Sequence, residues 1–303
     1  MLSFLTILHP LVDACSVTVL VIGGMSWQRV LAYNALAFAL QFPIGVMLDV
    51  RPCLLKGAFV VSLALTLAGV GLCMCGLRGV ALMSACVGNA LFHLSAGKAV
   101  LDLHGGRGGP VGLFISTGAF GLFVGMKLSG GYGPWCCLGF GAALGVVGVL
   151  SVRAWKMDCT LPALNGRVAR FLGGWPLSGC LLLFGLFAIV AWRSWSGLLA
   201  GEMTNSVGLG FALAGALVMW AGKAAGGCLG DCFGRWRVTA VSVVGSLLLC
   251  LLCRPDQEIV WLVLLFIAQL ATGPVLSLLY DNVGRAGGTA FGLNCLGLFT
   301  GSL

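Results

Sequence analysis

Long apolar runs, separated by short polar segments, occupy almost the whole chain. Breaking the sequence at its charged residues, Gly-Gly pairs and prolines leaves runs that approach the roughly 20 residues a membrane-spanning helix needs. None of them alternates between apolar and polar residues, as transmembrane β-strands do. The pattern therefore predicts eleven helical spans, at residues 2–24, 28–49, 54–76, 78–98, 109–129, 133–153, 175–197, 204–225, 238–253, 257–280 and 287–303.

Composition supports a membrane-embedded chain. The 303 residues are 59% hydrophobic and 9% charged, whereas soluble domains are about 45–50% apolar and about 25% charged. The 48 glycines suit helices that pack closely inside lipid. Most of the fourteen cysteines lie within apolar runs, and the pairs Cys228-x3-Cys232 and Cys250-x2-Cys253 lack a second ligand pair at zinc-like spacing. We therefore predict no metal site and no cofactor.

Charge supplies a prediction of topology. The net charge of +8 is distributed in short clusters between apolar runs, which argues against a nucleic-acid partner. A cytoplasmic amino terminus places twelve of the seventeen Lys and Arg residues inside, as the positive-inside rule prefers. The five outside are Arg29, Arg78, Lys127, Arg193 and Arg254. We expect a multi-pass protein of the cell membrane, with the lipid bilayer as its partner.

Two loops share a motif. The loop after the second span contains Gly45-x3-Asp49, and the loop after the eighth span contains Gly227-x3-Asp231, 182 residues further on. A second match links Arg107-Gly-Gly-Pro-Val-Gly112 to the segment from Arg285 to Gly292, with an offset of 180 residues from Gly112 to Gly292. Two matches at nearly one offset indicate an internal duplication.

The duplication predicts the domain organisation. The longest polar stretch, after the sixth span, divides the chain into an N-terminal bundle (1–153), a cytoplasmic central loop (154–174) and a C-terminal bundle (175–303). Because the matched loops lie on one membrane side, the repeats should be related by a pseudo-twofold axis along the membrane normal. The first bundle has six predicted spans and the second has five, so we expect a last helix to be missing.

These features resemble the major facilitator superfamily along the whole chain. The second motif copy matches the family at Gly227, Asp231, Gly234, Arg235 and Arg237. The first copy keeps Gly45, Asp49 and Arg51, but Pro52-Cys53-Leu54 follows where the family has Gly and basic residues. The resemblance implies an all-α fold of two six-helix bundles that rock about a central site, and it implies secondary active transport of a small solute.

The motif also has a physical interpretation as a gate. A glycine lets two helices approach, and the acid then accepts hydrogen bonds from a helix amino terminus or from a neighbouring Arg. Such a charged latch must break when the cytoplasmic side opens. The alternative is a solvated turn whose charges only set topology.

Two shorter patterns resemble exporters within the family. Gly112-x8-Gly121-x3-Gly125 resembles the glycine pattern of drug-proton antiporters, with Met126 where their proline stands. The segment from Gly88 to His93 is similar to fosmidomycin-resistance-type exporters. The likeness implies export by antiport. Plain helix packing is the alternative explanation of the glycines.

Ionisable residues within the predicted spans are candidates for proton coupling. His9 and Asp13 lie four apart on one face of the first span, and His93 lies in the fourth. The family resemblance implies that both helices face the central cavity. We therefore predict that Asp13 and His93 exchange the coupling proton. The alternative is a pairing of His9 with Asp13 that only offsets the cost of burial. Lys98 and Asp102 are interpreted as a simple cytoplasmic i,i+4 pair.

Other polar residues are candidates for binding the solute. Arg193, at the predicted outer end of the seventh span and near Glu202, could bind an anionic or polar solute, or could form an outer ion pair. Asn34 and Gln41, seven apart, are expected on one face of the second span. The amides that could bind solute elsewhere, or could join helices instead, are Asn205, Gln269 and Asn294.

The sequence thus favours a proton-coupled secondary transporter. It contains no G-x4-G-K-[ST] loop for a nucleotide. One alternative is a membrane enzyme acting on lipid, for which His104 beside Asp102 is the nearest reactive group. Another is a receptor or scaffold that keeps the fold without transport.

Overall fold

A computed structural model describes residues 1–155, 177–252, 254 and 257–303. The predicted central loop, apart from its first two residues, lies outside the described residues, as does Cys253. The described residues form helices and no strand, and they confirm the predicted all-α membrane architecture. We refer to residues 1–155 as the N-terminal half and to residues 177–303 as the C-terminal half.

The helices of the N-terminal half are joined by short turns. A π-helical turn at Ala35–Ala39 joins the second and third helices, and a 3-10 turn at Pro52–Leu54 precedes the fourth. The helices are α1 (Leu2–Gly23), α2 (Trp27–Asn34), α3 (Gln41–Val50), α4 (Leu55–Met74), α5 (Arg78–Leu103), α6 (Gly108–Ser116) and α7 (Gly118–Arg153).

The C-terminal half follows the same plan. Its helices are α8 (Leu177–Val207), α9 (Leu209–Phe233), α10 (Arg235–Leu252), α11 (Glu258–Gln269), α12 (Thr272–Asn282) and α13 (Gly287–Thr300). The 31-residue α8 extends well past the predicted end of the seventh span at residue 197. This extension changes where the polar residues of that helix lie.

Nine stretches in the described part of the chain are long and apolar enough to cross a membrane, against eleven predicted spans. One difference is α13, a helix of 14 residues. The other is that the predicted spans 109–129 and 133–153 fall within one helical stretch of 46 residues, Gly108–Arg153. At 1.5 Å per residue this stretch measures about 69 Å, roughly twice the hydrocarbon thickness.

A kink in α7 explains how so long a helical stretch fits the membrane. Tyr132 has non-helical dihedral angles (φ −128°, ψ 27°) in the middle of α7. Before the kink, the glycines of α7 pack along α1 from His9 towards Val17, whereas after it Gly141 packs against Val70 and Gly148 against Leu63, in the reverse direction along α4. The chain therefore reverses at Tyr132, and the stretch makes the two crossings that the hydrophobic pattern predicts.

Glycines bring the two halves into contact at two equivalent places. A Cβ atom on Gly45 of α3 would collide with the backbone of Gly288 in α13, and a Cβ atom on Gly227 of α9 would collide with the backbone of Gly108 in α6. Gly288 follows Gly108 by 180 positions, so each half offers the same pair of surfaces to the other. This reciprocal packing is the interface expected of a parallel duplication.

Two spans are broken near their middle. The first break, at Thr117, separates α6 from α7, and the second, at Leu270 and Ala271, separates α11 from α12. At the second break the Ser242 hydroxyl accepts a hydrogen bond from the Ala271 amide at 3.2 Å and donates to the Ile267 carbonyl at 2.6 Å. Discontinuous helices at mid-membrane depth are typical of transporter binding sites.

Candidate functional site

A cluster of His9, Asp13 and His93 lies inside the N-terminal half, near the middle of α1 and α5. Asp13 Oδ2 lies 3.3 Å from His9 Nε2, and Asp13 Oδ1 lies 3.4 Å from His93 Nε2. The two imidazole Nε2 atoms are 2.8 Å apart. The structure thus brings together all three residues that the sequence selects for proton coupling, and both histidines contact the acid.

Asn89 was missed by the sequence reasoning, and it holds the carboxylate in place. Its amide nitrogen donates to Asp13 Oδ1 at 2.9 Å and lies 3.4 Å from the Ser16 hydroxyl. Asn89 is buried on α5, one turn before His93. A buried carboxylate that accepts a neutral donor retains its charge at a lower cost in free energy.

Backbone carbonyls fix the histidine tautomers. His9 Nδ1 lies 2.7 Å from the Phe114 carbonyl oxygen, and His93 Nδ1 lies 2.9 Å from the Asn89 carbonyl oxygen. Because a carbonyl only accepts, each Nδ1 must carry a hydrogen and donate it. A neutral imidazole then has a bare lone pair at Nε2, and the two lone pairs would face each other beside the carboxylate.

One added proton removes this conflict. A proton on either Nε2 makes an N–H···N hydrogen bond of 2.8 Å, within the range for a normal hydrogen bond. The same three ligand atoms lie within 4.8 Å of one another and could also surround a metal ion. The Nε2 to Nε2 separation, however, is shorter than the roughly 3.3 Å edge of a tetrahedral zinc site. This short separation suits a proton held between the two rings better than a tetrahedral zinc ion.

A glycine leaves room for the cluster. A Cβ atom on Gly118 would lie 2.5 Å from Asp13 Oδ2 and 2.7 Å from His9 Nε2. Gly118 begins α7 directly after the break at Thr117. The break and the glycine together let α1 approach this part of the chain.

Arg193 lies in the middle of α8, not at its predicted outer end, and among the described residues it forms no ion pair with Glu202, the alternative to solute binding. Its side chain is 4% exposed. Nη1 donates to Gln269 Oε1 at 3.2 Å and to the Thr272 hydroxyl at 2.8 Å, on either side of the break between α11 and α12. Nε and Nη2 are buried and have no hydrogen-bond partner among the residues that the structure describes.

The position of Lys223 also differs from the prediction. It counts as a cytoplasmic charge in the predicted topology, yet it lies near the middle of α9 and is partly buried. It interacts electrostatically with Asp13 and His93 in the N-terminal half and with Arg193 in its own half. Its carbonyl packs against Gly112 of α6. Lys223 thus lies between the two buried charged sites.

The two sites occupy equivalent places in the duplication. Asp13 and Arg193 are 180 residues apart, and so are their amide partners Asn89 and Gln269. In each half, an amide side chain on the fourth span (α5 or α11) forms a hydrogen bond with a charged residue on the first span (α1 or α8). The sign of the charge is inverted, and the amide changes from donor to acceptor.

Asn34 and Gln41 do not share a helix face, contrary to the prediction. The π-helical turn between them adds a residue to one turn, as shown by the bond from the Leu40 amide to the Ala35 carbonyl at 3.3 Å. Gln41 is fully buried and donates to the Ala37 carbonyl, whereas Asn34 is partly exposed. The structure does not bring these two amides together.

The first predicted gating loop forms a buried network. Asp49 accepts hydrogen bonds from the Gly288 amide at 3.0 Å, the Thr289 amide at 2.6 Å and the Thr289 hydroxyl at 2.8 Å, all at the amino terminus of α13. Lys98 contacts Asp49 at 2.6 Å and Asp102 at 2.8 Å. Lys98 and Asp102 are therefore more than the simple i,i+4 pair of the prediction.

The second gating loop makes fewer contacts. Asp231 accepts from the amides of Gly108 and Gly109 at the amino terminus of α6, both at 2.8 Å, and lies 3.9 Å from Arg107. Arg235 pairs with Asp281 instead of Asp231. Of the remaining predicted gating residues, Gly234 has a positive φ of 99°, and the side chains of Arg51 and Arg237 are exposed. We call the end of the molecule that carries Asp49 and Asp231 the latch end.

Comparison with known proteins identifies the fold. No protein-family model matches the chain, and no curated protein sequence matches it. A variant of the Escherichia coli fucose:proton symporter FucP superposes with a TM-score of 0.73 at 13% identity, over 99% of this chain and 89% of that one. FucP in the outward conformation, described as a major facilitator superfamily transporter, gives 0.69 at 14% identity with the same coverage. The likeness shows that the chain has the major facilitator fold.

Proposed function

We propose that this chain is a proton-coupled secondary transporter that moves a small solute by alternating access between its two halves. One observation carries the proposal: two imidazole Nε2 atoms lie 2.8 Å apart beside the Asp13 carboxylate, with both Nδ1 atoms bonded to carbonyls. The fold and the named proton symport of FucP support the choice of a proton as the coupling ion.

The packing of the cluster depends on how many protons it holds. When neither Nε2 atom carries a proton, the two nitrogen lone pairs face each other. When one proton is present, the two histidines share it and the Asp13 carboxylate balances its charge. When both Nε2 atoms are protonated, two N–H groups face each other and repel. The charged and titratable groups that face the cluster are Lys223 from α9 and Tyr33 from α2, the latter through Ser16. A change in proton count therefore repacks α1 against α5, and that repacking can favour one state of the bundle over another.

The latches supply the second element of alternating access. Asp49 and Asp231 each reach across to a helix amino terminus of the other half. With a cytoplasmic amino terminus, the latch end faces the cytoplasm and is closed in this structure. Opening that side requires both carboxylates to leave their backbone donors.

The glycine pattern of α6 and α7 favours export and antiport, whereas the solved neighbours are symporters. The test is uptake and efflux of a compound panel in proteoliposomes under an imposed pH gradient. We expect gradient-driven accumulation with the wild-type chain, and a loss of at least about tenfold with Asp13→Asn or His93→Gln. The sign of the gradient that drives uptake distinguishes symport from antiport.

The matched control is His104→Gln, because His104 is the third of only three histidines and lies at the end of α5 outside the cluster. It should transport like the wild type. Accumulation that survives Asp13→Asn would contradict proton coupling. If no compound moves with the wild-type chain, the transport proposal fails and the scaffold alternative is favoured. The enzyme alternative relies on Asp102, which Lys98 already engages.

A further inference from the structure

We infer that the C-terminal half binds the solute through a carboxylate held by the free edge of Arg193, and that the solute is an organic dianion whose second acidic group pairs with Lys223. The inference rests on the proposed transport function and names the class of its solute. It starts from a buried cation that the described residues leave incompletely bonded.

The free edge of Arg193 has the shape of a carboxylate site. Nη1 is occupied by Gln269 and Thr272, whereas Nε and Nη2, which form one side of the planar guanidinium, have no partner among the described residues. Two parallel N–H groups on such an edge match the two oxygens of a carboxylate. Leaving both donors buried and unbonded is costly, so a ligand that accepts from them is strongly favoured.

The charges near the middle of the membrane do not balance. With the one proton that the proposed function assigns to the histidine pair, Asp13 is negative and the pair, Arg193 and Lys223 are positive, which leaves an excess of two positive charges in this described region. No described side chain forms a hydrogen bond or ion pair with the Lys223 ammonium group. Uncompensated charge in a low-dielectric interior is expensive, and a dianion would neutralise it. A neutral solute would leave the excess in place.

The helix break places Arg193 at a discontinuous part of a span, the kind of position at which transporters typically bind their solutes. Gln269 ends α11 and Thr272 begins α12, so both partners of Arg193 belong to the discontinuous span. Arg193 does not lose its proton at physiological pH, so it provides a fixed charge, unlike the proton cluster at the equivalent position of the other half. A duplicated site of this kind can separate proton binding from solute binding.

The test is equilibrium binding of radiolabelled succinate to the purified full-length chain in detergent, with no gradient. Acetate and inorganic phosphate serve as competitors. We expect succinate to bind, acetate to compete at least about tenfold more weakly, and phosphate to compete more weakly than succinate. Arg193→Lys should weaken succinate binding about tenfold or more, since an ammonium group lacks the two parallel N–H donors of the guanidinium edge. Lys223→Gln should reduce the affinity for succinate to that for acetate.

The matched control is Lys127→Gln, because Lys127 is an exposed cation of α7 outside the site. It should bind succinate like the wild type. Size-exclusion profiles establish that each variant is folded, and Arg193→Lys keeps a positive charge at the buried position. The inference is overturned if Arg193→Lys binds succinate like the wild type, if phosphate binds more tightly than succinate, or if the wild type binds neither carboxylate. None of these results bears on proton coupling, which is tested by the gradient.

Discussion

The two halves of this chain place a charged residue at the same repeat position, yet they treat it differently. In the N-terminal half Asp13 accepts a hydrogen bond from Asn89 and lies within 3.4 Å of both imidazoles, so each carboxylate oxygen has a described partner. In the C-terminal half Arg193 has two buried N–H groups without a described partner. We propose that the first site changes state by gaining or losing a proton and that the second changes state by gaining a ligand.

The latches show the same contrast. Asp49, in the N-terminal half, has a fully buried side chain and accepts from two amides, a hydroxyl and an ammonium group. Asp231, in the C-terminal half, has a side chain that is 14% exposed and accepts from two amides. The duplication thus preserved the backbone contacts of both latches, whereas the side chains around them diverged.

The largest predicted effect separates the latches. Asp49→Asn should weaken its latch by about 3–5 kcal/mol, because it removes a buried charge that Lys98 faces. Asp231→Asn should cost about 1–2 kcal/mol, since two backbone hydrogen bonds weaken and the contact with the exposed Arg107 contributes little. Hydrogen–deuterium exchange at the amino termini of α13 and α6 measures each effect. Equal or reversed exchange rates would show that the two latches are not ranked by burial.

The amides of the central sites give the next largest effect. Asn89→Leu should destabilise the chain by about 2–3 kcal/mol, because a buried carboxylate loses a hydrogen bond. Gln269→Leu should cost about 1 kcal/mol, because Thr272 still accepts from Arg193. Thermal unfolding in detergent compares the two variants. A larger loss of stability with Gln269→Leu than with Asn89→Leu would mean that the C-terminal site, and not the N-terminal one, already has its full set of hydrogen bonds.

Gly118 tests how tightly the proton cluster is packed. Gly118→Ala should cost about 1–2 kcal/mol and abolish the response to a pH gradient, because its Cβ atom would press on Asp13 and His9. The repeat-equivalent position in the other half carries Leu298. Gly139→Ala, where no atom lies within 4 Å of the added Cβ, is the control and should change neither stability nor the pH response. A normal response of Gly118→Ala to the pH gradient would show that the cluster of His9, Asp13 and His93 is not tightly packed.

The smallest predicted effect concerns the ion pair at the second gating loop. Arg235 and Asp281 have side chains that are 23% and 42% exposed. Arg235→Gln should therefore cost less than about 1 kcal/mol, and high salt should reduce the effect further. Thermal unfolding at low and high salt measures it. A loss as large as that of Asp49→Asn would place Arg235 in the latch itself.

Much of the fold follows from the sequence. Lipid forces helical spans, so the lengths of the apolar runs predict the elements, and the offset between the Gly45 and Gly227 loops predicts the duplication. The i,i+4 spacing of His9 and Asp13 predicts one of the two contacts between Asp13 and a histidine in the cluster. These features depend on one element or on a repeat, and the sequence displays both directly.

The missed features depend on tertiary contacts or on local backbone changes. Dividing a sequence at its charges tends to place charged residues near the ends of predicted spans, so Arg193 and Lys223 are assigned to span ends although they lie in mid-helix. The contact of Lys98 with Asp49 joins residues of two helices, and no local pattern marks it. Asn89 could have been found, because it precedes Gln269 by the repeat offset of 180.

The shared proton in the N-terminal half is tested most directly by nitrogen NMR of the 15N-histidine-labelled chain in lipid. Partial burial and the nearby Arg107 lower the pKa of His104, so that ring should titrate alone below its ordinary value. We predict that the other two rings, His9 and His93, each carry Nδ1–H and share one Nε2 proton, and that His93→Gln abolishes this signal while Arg193→Lys preserves it. Two independent neutral rings with Nε2–H tautomers would contradict the account.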